Sequence, residues 1–306
     1  MSNQYKSLLA NILENGEVKS DRTGEGTKSI FASTMTFDLA EGFPADTLRK
    51  VAPRIAFEET MFFARGERDT KKLEAKKINI WKGNTSREFL DKVGLNHLPE
   101  GDLGRGYGVQ WRDFRTATVE QYSDSMDISN GATYFYGAKV KTKSVDQLKN
   151  LLDGLKNDPN GRRHIITAWN PAELDQMALP PCHLYQQYYV SNGRLHSLWM
   201  QRSVDTVFGL PYNVMSYAFL NMAFAKLLGL EPGKLTFMGG DTHIYLNQMF
   251  MAEDMVANRD PKPFPKLEIT KEINTLDDFL ELEYSDIQIT GYDAHPDYKN
   301  KPSMAV

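Results

Sequence analysis

"MALPPCHLYQQYYV", residues 177–190, is the stretch on which the reading turns. It holds the sole cysteine of 306 residues, Cys182, between Pro180-Pro181 and His183. The prolines fix φ just ahead of the thiol and remove two amide donors, which suits a side chain that has to be aimed. A lone cysteine is otherwise a small buried hydrophobe, so the residue by itself leaves both readings open. Just downstream, "LYQQYYVSNGRLHSLWMQRS" (184–203) reads as two strands turning at Asn192-Gly193, a hairpin signal. Its second strand ends at Arg202, either a surface ion-pair partner or a cation beside the cysteine that favours thiolate over thiol.

Working outward, "HIITAWN" (164–170) predicts a strand, as does the alternation of Phe31, Ser33, Met35 and Phe37. Tyr5, Leu8, Leu9, Ile12 and Leu13 share one helical face that closes at Gly16, and a second helix is expected over Ala52 to Ala64. "PYNVMSYAFLNMAFAKLLGLEPG" (211–233) opens with a proline suited to a first turn and closes near Gly229, which predicts a central buried helix. Thr116 to Val140 is polar with no steady period and reads as a variable insertion. The fold class is therefore α+β, a large mixed sheet packed by helices.

With 41% hydrophobic residues the chain can bury a large core. No linker, repeat or charge run divides it, so one domain over 1–306 is expected. One cysteine excludes an internal disulfide framework, and the first residues lack a signal layout, which together suggest a reducing cytoplasm. The longest apolar run, Val214 to Leu230, is broken by Ser216, Asn221 and Lys226, against a membrane span. A net charge of −4 gives no global attraction to nucleic acid. The six histidines show no HxxxH spacing and there is no CxxC, so no metal is expected.

Three sets of residues carry chemistry. Arg22 in "DRTGEGT", Arg162 and Arg163 in "NGRRHI", and Arg202 with Ser203 in "QRSVD" offer guanidinium forks and a hydroxyl that suit a phosphate dianion, though each arginine alone also fits a solvated or structural role. Asn213 carries a donor and an acceptor fit for the imide edge of a uracil ring, and His243 and Tyr245 in "GGDTHIY" suit a sugar hydroxyl; a helix-start Asn and a buried hydrogen-bonded His are the plainer readings. Glu58 and Glu59 lie in the apolar run "RIAFEETMFF". Each either points to solvent or has a raised pKa fit for proton transfer.

Read together and in order, "DRTGEGT", "LGRGYGVQWRDF", "NGRRHIITAWNPAELDQMALPPCH", "QRSVDTVFGLPYN" and "GGDTHIYLNQ" resemble the thymidylate synthase family along nearly the whole chain. The resemblance implies a homodimer with a sheet face at the interface, dUMP as substrate, and 5,10-methylenetetrahydrofolate as co-substrate. By position, Cys182 matches the nucleophile; Arg22, Arg202 and Ser203 the phosphate ligands, joined by Arg162 and Arg163 from the partner subunit; Asn213 the pyrimidine reader; His243 and Tyr245 the 3′-hydroxyl contacts. Glu59 matches the acid/base, Tyr107 and Trp81 the aromatic residues at proton removal and the folate pocket, and Asp205 the carboxylate near the pterin. Phe208, Gly209 and Tyr212 line the folate side, and Met304-Ala305-Val306 resembles the closing tail. Departures from the family pattern cluster there: Arg105-Gly106 before Tyr107, Lys82 after Trp81, Phe208, and Tyr212. Reductive methylation of dUMP to dTMP is the implied reaction. The alternative within the family is a dUMP hydroxymethylase, in which water replaces hydride, and the alternative outside it is a non-enzymatic nucleotide- or RNA-binding regulator.

Overall fold

The computed structural model describes residues 2–21, 23–121, 126–127, 134–135 and 139–302. Arg22, most of the insertion and the tail residues Met304, Ala305 and Val306 lie outside the described residues. In chain order the elements are α1 (Ser2–Asn15), β1 (Glu17–Lys19), β2 (Thr27–Asp38), α2 (Pro53–Ala64), α3 (Lys71–Ala75), α4 (Arg87–Lys92) and α5 (Gly108–Arg112). Next come β3 (Phe114–Gln121), β4 (Met126–Asp127), β5 (Tyr134–Phe135), β6 (Lys139–Val145), α6 (Gln147–Asn157), β7 (Ile165–Thr167), β8 (His183–Ser191) and β9 (Arg194–Asp205). The chain continues through α7 (Gly209–Leu228), β10 (Glu231–Tyr245), α8 (Met249–Asn258), β11 (Lys266–Ile269), α9 (Leu276–Leu280) and β12 (Ile287–Thr290).

The main sheet has the order β1-β2-β10-β9-β8-β7. Every pairing is antiparallel except β9 with β10, which is parallel and requires a crossover. That crossover is α7, and its twenty residues bury Val214, Met215, Ala218 and Phe219 among others. The helix stops where Gly229 takes φ 67° and donates its N–H to Lys226, a left-handed C-cap that a side chain would strain. Trp199 of β9 stacks on Tyr217 of α7 at 5.0 Å, so the even-numbered neighbours of Trp199 face away from the helix.

The hairpin forms as the Asn-Gly pair dictates: Ser191 faces Arg194, with φ 51° at Asn192 and 71° at Gly193. α1 and α2 also form over nearly the expected residues, α1 burying Tyr5, Leu8, Leu9 and Ile12. Two expectations change. The strand expected over 164–170 is only Ile165–Thr167, because Pro171 starts a 3-10 turn whose first amide, at Ala172, is capped by the Asn170 side chain. The insertion without a period begins and ends in a ribbon, with β3 antiparallel to β6. Thr116–Thr118 and Lys141–Ser144 are all exposed, so no buried face imposes an alternation.

Candidate active site

Sheet topology gathers the candidate residues at one edge. Because β9 and β10 run parallel, Arg202, Ser203 and Asp205 end beside Asp241 and His243: Ser203 is level with Asp241 and Asp205 with His243. β2 is antiparallel to β10, so its start, Thr27, pairs with Tyr245 and brings Gly26, whose N–H donates to Asp21 Oδ1, to the same edge. β8 is antiparallel to β9, which places Cys182, just ahead of its first residue, there too. The N-terminal turn of α7 follows β9 directly and carries Asn213.

Arg202 answers what the two prolines do. Its Nε donates to Pro181 O at 3.0 Å and its Nη2 to Pro180 O at 2.8 Å, while its backbone N–H donates to Cys182 O at 2.9 Å. The guanidinium also lies over Trp169, 5.4 Å from the ring centre. On the other side the Cys182 N–H donates to Tyr107 Oη at 2.9 Å. The thiol-bearing residue is thus held by its own carbonyl and amide, and the charge beside it is bonded to the rigid dipeptide that precedes it.

Tyr107 is buried, stacked on Phe63 at 4.8 Å, and takes φ 42°, ψ −103°, a conformation a bulky residue rarely adopts. Burial raises its phenol well above the usual range. Next to it in sequence, Gly108 allows α5 to touch α2: a Cβ there would stand 2.2 Å from Phe63 O.

The two glutamates separate. Glu58 is buried but paired, accepting from Lys76 Nζ at 2.7 Å. Glu59 accepts from Trp81 Nε1 at 2.8 Å, and burial pushes its carboxyl up to about 7, with the Trp81 bond only partly opposing the rise. Glu58 is thus held in an ion pair, whereas Glu59 keeps one neutral donor and a carboxyl raised toward neutrality, the property that proton transfer would need.

Asn213 Oδ1 accepts from Gln201 Nε2 at 3.2 Å, which orients the carboxamide with Nδ2 as donor. His243 bonds Asp241 through Nδ1 at 3.0 Å and packs edge-on to Tyr245. Asp205 Oδ1 accepts from the N–H groups of Val207 and Phe208, and burial pushes its carboxyl above the ordinary carboxylate range. Phe208 is buried with the Arg49 guanidinium 5.5 Å from its ring centre, and Arg49 Nη2 donates to Val207 O. Gly209 opens α7, where a Cβ would stand 3.5 Å from Asp205 Cβ and 3.9 Å from Asn213 Oδ1, and Tyr212 is partly buried one turn on.

Arg162 and Arg163 are not brought to this edge. Both are exposed, and the neighbouring His164 O accepts from the N–H of Tyr188. Tyr188 is six residues along β8 from Cys182, roughly 20 Å at the rise of a strand. Arg105, one of the departures expected on the folate side, is buried: its Nη1 donates to Asp113 at 3.0 Å and its Nε lies 2.8 Å from Glu173 Oε1.

The sequence pattern of thymidylate synthase matches residues 3–305. The chain belongs to the thymidylate synthase family. It is 40% identical to human thymidylate synthase over 296 residues, covering 97% of this chain and 88% of that one. Against the thymidylate synthase of equine herpesvirus 2 it is 40% identical over 292 residues, 95% and 94% of the two chains. It is also 41% identical over 303 residues to the bifunctional dihydrofolate reductase-thymidylate synthase of Zea mays, and spans only 54% of that protein's length.

Within this thymidylate synthase family member the sequence reading missed several residues that build the site. Gln201, Trp169 and Arg49 each hold a candidate residue, and His183 bonds Tyr217 Oη at 2.8 Å behind the cysteine. Burial holds the His183 ring neutral, its pKa down at about 3, so the residue next to Cys182 is no cation. Strand alternation was the available signal, since a residue adjacent to a strand-entry cysteine faces the opposite side. Among the described residues no group of three His, Cys, Asp or Glu side chains gathers to hold a metal, and no helix is long and apolar enough to cross a membrane.

Proposed function

We propose that the chain methylates dUMP to dTMP, with 5,10-methylenetetrahydrofolate as co-substrate and Cys182 as nucleophile. The observation that carries this reading is the doubly held Cys182, between Tyr107 Oη and the Arg202–Pro180–Pro181 cluster, at the edge that holds Asp205 and His243, with Asn213 bonded to Gln201 of the same strand and Glu59 reached through Trp81, whose ring lies 5.4 Å from that of Tyr107. Addition of the thiolate to C6 of the uracil ring makes C5 enolate-like, which an unassisted pyrimidine is not. Asn213 reads the O4/N3 edge through its oriented carboxamide. Arg202 and Ser203 hold the phosphate, with Arg22, and His243 and Tyr245 hold the 3′-hydroxyl. Glu59, half-ionised near neutrality, organises water at O4 and helps remove the C5 proton, where a carboxyl matched to the working pH is most effective. Tyr107 takes part in that proton removal.

Folate, when bound, supplies the one-carbon unit and the hydride. The donor set fits its pterin: Asp205 Oδ1 is occupied by two backbone N–H groups, while Oδ2 has no hydrogen bond among the described residues and can accept from a ring N–H. Trp81, Phe208, Gly209 and Tyr212 form the apolar wall, and Val306 is proposed to close over it. Incubating the protein with dUMP and the folate, and identifying the nucleotide by mass, tests the reaction. Thymidylate with matching dihydrofolate supports it; hydroxymethyl-dUMP without dihydrofolate replaces it with the water-completed reaction.

A homodimer belongs to the same proposal. The sheet face away from α7 exposes Tyr189, Met200 and Met238, the last two level with each other, and Phe31 is 82% exposed where Ala32 takes φ 65°. Such an apolar face is covered in solution. A second copy laid on it supplies Arg162 and Arg163, which the edge lacks in its own chain, to the partner's phosphate site. Phe31→Glu is expected to weaken association by on the order of tenfold or more, read by sedimentation velocity; an unchanged association constant would reject this face.

A further inference from the structure

We propose that Arg105 is a positioning residue, clamping Tyr107 in its left-handed backbone conformation so that the phenol oxygen meets the Cys182 N–H. The inference rests on the reaction proposed above. Two segments have to meet for that contact to exist: residues 103–113, with Tyr107, and residues 170–182, which end in Cys182. They are stitched twice by backbone, Arg105 N–H donating to Gln176 O at 2.9 Å and Ala178 N–H to Leu103 O at 3.1 Å.

The side chains complete the stitch through one carboxylate. Glu173 Oε1 lies 2.8 Å from Arg105 Nε, and Glu173 Oε2 accepts from Gln110 Nε2 at 2.7 Å and from Asn170 Nδ2 at 3.2 Å. Gln110 Nε2 is also 2.6 Å from Arg105 O. Glu173 therefore grips both flanks of Tyr107, two residues before it and three after. Arg105 Nη1 donates to Asp113 Oδ2 at 3.0 Å and its Nη2 to Asp113 O, anchoring the far end of α5 to the same guanidinium. The Arg105 and Glu173 side chains are 7% and 10% exposed, so water competes little for these contacts, of which the Nε–Oε1 approach is an ion pair rather than an aligned hydrogen bond.

The cluster sits around Tyr107, whose backbone conformation is costly on its own. A bulky residue at positive φ persists where its surroundings over-determine it, and here they do so from both sides. A guanidinium is suited to the task because its planar fork engages two carboxylates and a carbonyl at once, which a point-charge ammonium cannot do.

The test is a double-mutant cycle. Arg105→Met is expected to lower kcat about tenfold, in line with the cost of a small misplacement at a reacting centre, with KM for dUMP changed less than about twofold. In a Tyr107→Phe background the same substitution is expected to cost less than about twofold. Equal losses in the two backgrounds would overturn the clamp, since a merely structural Arg105 lowers both alike. Arg105→Lys, which reaches one carboxylate at a time, is expected to fall between, and Glu173→Gln runs the same cycle if Arg105→Met does not fold. Because Cys182 is the only cysteine, iodoacetamide alkylation reports it alone and needs no turnover. Its pH profile should move in Arg105→Met and in Tyr107→Phe, with no further movement in the double variant. Unmoved profiles in the single variants reject the clamp. Failure of the wild type to convert dUMP rejects the reaction and leaves the alkylation cycle to decide the clamp.

Discussion

Cys182→Ser is expected to lower turnover of dUMP by at least about 10⁴-fold, the scale on which removal of a nucleophile acts. A serine hydroxyl is almost wholly protonated at neutral pH and does not add to a pyrimidine unaided. The chain has no second cysteine to take over. Binding of dUMP should stay within a few-fold of wild type, because the side chains assigned to the phosphate, base and sugar are untouched. Backbone bonds hold residue 182 through its N–H and carbonyl, so the replacement should keep its place. The check is steady-state turnover alongside nucleotide titration by calorimetry. Turnover within tenfold of wild type would sink covalent catalysis for the methylating and the hydroxymethylating reaction together, and would leave a nucleotide-binding protein of another kind.

Glu59→Gln is expected to do two opposite things. It removes the group proposed to transfer a proton, so kcat should drop about 10²–10⁴-fold, the usual contribution of a positioned acid or base. It should also stabilise the fold at alkaline pH. The carboxyl is raised from 4.5 to about 7 by burial, so the folded state favours the protonated form. A raised acid contributes stability that is fully present below its unfolded pKa and is lost as pH rises through the folded value. The wild type therefore loses stability between about pH 4.5 and 7, and the neutral amide, which can still accept from Trp81, does not. At pH 8 the variant is expected to be more stable by about 1–3 kcal/mol, with the difference vanishing near pH 4.5. Urea unfolding of both proteins across that range measures it. A difference independent of pH would show that Glu59 is not the group burial has raised. The wild-type kcat/KM should also titrate near pH 7, in a limb missing from the variant.

This sets activity against stability at one residue. A carboxyl half-ionised at neutral pH requires partial removal from water with a single neutral donor, and that costs the folded state free energy whenever the group ionises.

The sequence by itself determined the elements that local physics governs. Asn192-Gly193 turns a hairpin because both residues tolerate positive φ. The apolar face of α1, and α7 ending at Gly229, follow from helical periodicity and a left-handed cap. Cys182 stood out for its two prolines, and the ordered motifs around it identified the family. Residue types and spacing left Glu58 and Glu59 alike and the resemblance alone singled out Glu59; what separates them physically, the partners Lys76 and Trp81, lies 18 and 22 residues away and is visible only in the tertiary structure. It alone showed that Arg105 is engaged by Asp113 and Glu173, that Phe31 is exposed beside Ala32 at φ 65°, and that Arg162 and Arg163 lie far along the sheet from Cys182. The reason is the same in each case: periodicity and turn chemistry act over a few residues, whereas burial, ion pairing and the pKa of an acid depend on segments that strand order and one parallel crossover bring together.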